Sequence, residues 1–267
     1  TYQGDDDGRD KTMVVQEDVT FEGTTYEYLL TITDAASEGE PDGGIGMQVF
    51  WSNSPVVQGV AILKPYNLDR VGDADAGDAI YRIDYDDSGD ENYDATMEVR
   101  IAGLPLDEPE VDQFSMQSLR MFVGKKGNEV DVFGSSSHPN AELFSQDDNG
   151  LNWAFVASGN DLLNIGVAEV GLPPSNLDED SRDVILKDFS IRNVFEAEIE
   201  AEYGTEIDDE LLDLFLANTL APGYFNSDGF VQAQIAPSME WEGLVDRIEN
   251  LSPYNPFEVT NLTIDFQ

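Results

Sequence analysis

Short stretches of alternating apolar and polar residues recur along this chain, too closely spaced to hold a crossover helix between them. That spacing is the strongest constraint on its fold. In "TTYEYLLTIT", Tyr26, Tyr28, Leu30 and Ile32 take every second position and mark one face of a half-buried strand. "IGMQVFWSN" and "VVQGVAILK" follow as two more strands separated by Ser54-Pro55. "DAIYRIDYD" and "YDATMEVRI" predict a hairpin across the acidic turn 86–92, and "SLRMFVG" and "NEVDVFG" another across Lys125-Lys126-Gly127. "AELFSQ", "NWAFVAS" and "LNIGVAEVG" continue the series. So many sequential strands do not remain an open twisted sheet. The expected class is therefore all-β, mainly antiparallel: a large meander-type β-barrel or β-sandwich.

The last third adds helix. "DVILKDFSIRNVF" still reads as a strand, through Val184, Leu186 and Phe189. After it, "EAEIEAEYGTEIDDELLDLFLANTL" turns helical, with Thr205 a candidate N-cap and Ile207, Leu211, Leu214 and Phe215 on one face. A second short helix is expected after Ser238, with Trp241, Leu244, Val245 and Ile248 at i, i+3, i+4 and i+7, stopped by Pro253 and Pro256. "GFVQAQIA" and the closing "PFEVTNLTIDF" read as strands, the latter pairing inside the main sheet.

Residues 1–20, polar and rich in Gly and Asp, read as a flexible acidic tail ahead of one β-rich domain spanning 21–267. Pro- and acid-bearing connectors from Gly103 and Gly171 leave an alternative division into two β subdomains, 21–110 and 111–267. The tail is of the kind that follows a cleaved export signal or a lipid-modified cysteine. The expectation is an exported, periplasmic or cell-surface protein, lipid-anchored through residues upstream of Thr1. No apolar run of about 18 residues is present, so no transmembrane span is expected in this chain.

Asp and Glu number 55 against 13 Lys and Arg, a formal net charge of -42. Such a field repels nucleic-acid backbones and anionic lipid surfaces. It suits a hydrated surface in high salt or the binding of a hard cation such as Ca2+. With no cysteine, thiol nucleophiles, disulfides and zinc–thiolate centres are excluded.

The cation candidate is "DYDDSGDEN", where Asp84, Asp86, Ser88, Asp90 and Asn92 set alternating oxygens around Gly89. Ala95 stands where a calcium loop needs its last acid. Asp73, Asp75 and Asp78 could share such a site. The catalytic candidates are Glu129 and Asp131, two carboxylates on one strand face in "EVDVFG". This string resembles the strand motif of laminarinase-type glycoside hydrolases in its first two acids. It departs at Gly134 and Ser135, where that family carries the general acid, so the activity is not carried over. His138, in "SSSHPN", is the only histidine and reads as a turn residue. Trp51, Tyr66 and Trp153 are the aromatic candidates for a ligand-binding platform.

No constellation commits to a reaction. The expected function is a non-enzymatic binding domain, exported and surface-tethered, whose partner is a small molecule, a glycan or a protein. Two alternatives stand beside it: a carbohydrate-active enzyme or carbohydrate-binding module on a β-sandwich, and a structural envelope module with a cation-bridged acidic surface.

Overall fold

A computed structural model describes residues 1–3, 8–37, 39–69, 77–142, 150–204, 208–216, 223–226, 229–231 and 239–267. The chain is mainly antiparallel β, with the strands of each unit hydrogen-bonded to their neighbours in sequence order, as the short connections require. It divides into two compact units, residues 1–105 with 262–267, and residues 106–261.

The first unit holds β1 (Tyr2–Gln3), β2 (Asp10–Phe21), β3 (Thr24–Asp34), β4 (Ile45–Ser52), β5 (Gln58–Leu63), a one-turn helix α1 (Pro65–Leu68), β6 (Ile80–Asp86) and β7 (Ala95–Ala102). Residues 10–20, expected in a tail, instead form β2 and pair along β3. Buried Asp34 ties this start down: it accepts from the Arg9 guanidinium at 2.7 Å and the Ala36 amide at 3.0 Å. Burial pushes the Asp34 carboxyl up, but these donors prevail and hold it below the usual carboxylate range. A polar composition concealed the strand because β2 is exposed over most of its length.

Leu29, Phe50 and Val60 are cross-strand partners and form the central row of this unit's core, with Phe21 stacked on Phe50 at 4.3 Å. Leu29, rather than its neighbours Tyr28 and Leu30, faces this core. Tyr26, Leu29, Ile32 and Asp34 are the buried residues of β3, in place of the simple alternation read from the sequence. The chain end is not a strand in the sheet either. Residues 256–260 form a short helix, and Leu262, Ile264 and Phe266 then pack into the Phe50 cluster. Gln267 closes the segment, its amide donating to Gln48 and its side chain to the Thr20 carbonyl.

The second unit holds α2 (Pro109–Asp112), β8 (Ser118–Lys126), β9 (Glu129–His138), β10 (Leu151–Asn160), β11 (Ile165–Gly171), α3 (Ile191–Tyr203), α4 (Asp209–Phe215), β12 (Gly223–Asn226), β13 (Gly229–Val231), α5 (Met239–Ile248) and α6 (Pro256–Thr260). Both predicted hairpins, β6–β7 and β8–β9, are present. "AELFSQ" is not a strand at Ala141 and Glu142, and its remainder lies outside the described residues.

The strand expected over 183–195 is helical: a π-type turn spans Asp183–Asp188 and α3 follows. Ile185 and Leu186 are adjacent and both buried, which a strand's alternation forbids on a one-sided sheet. Ile191, Val194 and Phe195 then recur at helical spacing against Ala141, Leu151 and Leu172. Ser190 caps α3 by accepting from the Asn193 amide, and Gly204 ends it in the left-handed conformation at φ 68°. In α4 the N-cap is Asp208, and its buried residues are Leu212 and Leu216, whereas Leu211 and Leu214 of the predicted apolar face are exposed. Thr205, Ile207 and Ser238 lie outside the described residues. In α5, Leu244 and Ile248 pack on Ala154, Val156 and Val167 as expected.

Candidate functional site

Glu129 and Asp131 lie two residues apart on β9, on the side that faces α5. Arg247, in the last turn of α5, reaches both: its Nε donates to the two Asp131 oxygens at 2.7 and 2.9 Å, its Nη2 donates to Asp131 Oδ2 at 2.7 Å, and its Nη1 bonds Glu129. The Ser158 hydroxyl, directly across on β10, donates to Asp131 at 2.8 Å. Asp131 is 2% exposed, so no substrate atom reaches it. A general acid or nucleophile must touch the scissile bond. The pair instead forms a clamp that fixes α5 to the sheet. Beside it, a cleft of about 440 Å³ is lined by Glu129, Asn160, Leu163, Ile165, Arg247 and Asn250.

The "DYDDSGDEN" carboxylates are turned to local work. Asp84 accepts from Arg82 Nε and Nη2, the latter at 2.7 Å. Asp86 accepts from the Ser88 amide at 2.7 Å, and Asp90 from the amides of Asn92 and Tyr93. These are turn-capping bonds, in which a short acid satisfies the backbone two or three residues on. Among the described residues no three acids or histidines converge as a cation cage. Asp73 and Asp75 lie outside them.

Arg82 belongs to a polar cluster inside the first unit. It grips Glu22 with both terminal nitrogens, at 2.7 and 2.6 Å, and its guanidinium sits 5.4 Å from the Phe21 ring centre. Glu22 occupies the first position of the two-residue β2–β3 turn with φ 47°, a conformation that side chains other than Gly, Asn and Asp seldom take. The bidentate ion pair holds it there. The Arg82 hydrogen bond keeps the Glu22 carboxyl below its usual range, and burial, with Asp84 nearby, pushes the Tyr26 phenol up.

The aromatic candidates have separate settings. Trp51 stacks on its cross-strand partner Tyr28 at 5.2 Å. Tyr66, on α1, lies against Gly77. Trp153 is 41% exposed and leans on the His138 ring at 5.3 Å. His138 is buried rather than at a surface turn. Its Nδ1 meets the Phe114 carbonyl at 2.6 Å and its Nε2 the Ser136 hydroxyl at 2.8 Å. A carbonyl only accepts, so Nδ1 carries the proton and Nε2 accepts from Ser136. The arrangement has a nucleophile–base pair's connectivity, but Ser136 and His138 are both 6% exposed, and it serves to pin the α2 segment to β9.

The feature that sequence reasoning missed is a second cleft in this unit. It encloses about 180 Å³ against α3, with Leu151, Leu172, Phe189, Val194 and Ala197 on its walls and Glu198 among them. Glu198 Oε2 is shielded from solvent and has no hydrogen-bond partner among the described residues. Glu198 follows Val194 by four residues and Phe195 by three, so it sits on the helix stripe whose other members pack on Ala141, Leu151 and Leu172. An acid in an apolar stripe was the signal available. It was hidden because the helix reads as opening only at "EAEIEAE", after a strand ending at Phe195, which separates Glu198 from Val194 and Phe195. No family model, no curated protein and no solved structure matches this chain.

Proposed function

We propose that this chain is a non-catalytic binding domain that takes a small, largely apolar ligand in the α3 cleft. The observation that carries the reading is the cleft itself: concave, walled mainly by aliphatic and aromatic side chains, and bearing few polar groups. An apolar cavity of about 150 Å³ accommodates benzene, so about 180 Å³ suits a body of one ring or a short alkyl chain. The engagement of Glu129 and Asp131 by Arg247 supports binding over glycoside hydrolysis. Placement outside the cell belongs to the same proposal.

Fluorobenzene, followed by ¹⁹F NMR in molar sodium chloride, tests the cleft. Saturable binding is expected, weakened at least tenfold by Ala197→Trp, which fills the mouth from an exposed position on α3. Unchanged binding by the folded variant overturns the assignment.

A further inference from the structure

We infer that a second copy of this chain packs on the outer face of the first unit's sheet, joining two copies through a layer of apolar side chains.

A strand sends alternate side chains to opposite faces, and in this sheet Leu29, Phe50 and Val60 mark the face that carries the core. On the other face Val15, Leu30, Val49, Ala61, Ile83 and Val99 form one cross-strand row from β2 to β7. A row through Met47, Leu63 and Tyr81 lies on one side of it, and a row through Trp51, Gly59 and Tyr85 on the other. Of the positions in these three rows across six strands, only Glu17 on β2 is charged. Charged residues make up 25% of the chain, so this face departs from the rest of the sequence. Apart from Ile32 the rows are half-buried or exposed, with Ile83 at 42% and Tyr85 at 40%. The packed cluster of this unit lies on the Phe50 side.

An apolar sheet face calls for a second layer, and contiguous apolar patches beyond a few hundred Å² mark interaction surfaces. Six strands about 4.8 Å apart and three rows about 6.8 Å apart cover on the order of 580 Å². Two such faces pressed together withdraw about 1,200 Å², the range in which stable pairs begin. The partner must be flat, extended and uncharged where it touches. The same face of a second copy has that extent and character, so two-fold pairing is self-complementary, layer on layer as in a sandwich. A lipid surface fits less well. Asp86, Asp87, Asp90 and Glu91 sit between β6 and β7 and repel anionic headgroups. These acids, with a net charge of -42 on each chain, also oppose pairing in dilute salt. Molar salt screens that repulsion to about 3 Å and leaves apolar contact in place.

Sedimentation velocity at about 100 µM chain, in 0.1 and 2 M sodium chloride, tests the pairing. A monomer is expected at 0.1 M and a dimer at 2 M. Ile83→Asp and Tyr85→Asp each set a charge within the face and should weaken the dimer at least a hundredfold. Val14→Asp, at a position 46% exposed on the opposite side of β2, should leave it intact. Far-ultraviolet circular dichroism identifies the variants that fold. A native chain that stays monomeric at both salts overturns the inference, and its flotation with phosphatidylcholine vesicles would then give the face to lipid. A dimer that persists in whichever of Ile83→Asp and Tyr85→Asp folds, that Val14→Asp abolishes equally, or that salt does not strengthen, overturns it too, since another surface or ion pairing then holds the copies together.

Discussion

Two residues, one charged and one neutral, show how a chain this acidic uses its few basic side chains. Arg247 is shared between one buried and one half-exposed carboxylate, so its loss takes that counter-charge from Asp131. Breaking a buried pair from one side costs about 3–5 kcal/mol. Arg247→Met should lower stability by about that amount in urea unfolding, and adding Asp131→Asn should recover part of it. Equal stability of native and Arg247→Met chains would remove the clamp from the account. His138 supplies a second test. Burial pulls its imidazole below the usual range, against the opposing pull of the Phe114 carbonyl. The neutral form is therefore favoured in the folded state, and the unfolded chain binds the extra proton. This contribution is present above the unfolded value of about 6.5 and is lost as pH falls through the lower folded value. Subtracting the stability–pH curve of His138→Gln from the native curve should isolate that acid-side loss. A difference that is flat between neutral pH and pH 5 contradicts it.

At the scale of elements, the hairpins were legible because each combines a strand alternation with a turn of unmistakable composition, as at 86–92 and Lys125-Lys126-Gly127. Elements failed where burial is two-sided or absent. Ile185 and Leu186 are buried side by side in a π-type turn, and Val14 and Val15 are both exposed on β2, so neither segment carries an honest period of two. Glu198 was illegible for a related reason, since its meaning depends on α3 beginning at Ile191 rather than after Phe195. The chain end was assigned to the right body by the wrong means: it is held by side-chain burial, not by a ladder. Removing Leu262–Gln267 uncovers the Phe50 cluster, and with Ile264 buried the loss should be about 2–5 kcal/mol by thermal or chemical unfolding. A truncated chain as stable as the native one would show that this segment only rests on the core.

Over the whole molecule, a net charge of -42 makes self-repulsion the leading dependence on conditions. Exposed carboxylates beyond about 10 Å of one another are screened at moderate salt, so the melting temperature should rise from 0.05 to 2 M sodium chloride. A falling melting temperature would mean that the surface ion pairs outweigh the repulsion. Against that background the α3 cleft stands out as a concave, mainly apolar surface in an acidic molecule. Amide chemical-shift mapping with fluorobenzene in 2 M sodium chloride tests this claim most directly. The account predicts saturable shifts confined to the neighbourhood of Leu151, Leu172, Val194, Ala197 and Glu198. Shifts centred on Arg247 and Asn160, or scattered over the acidic surface, would contradict it.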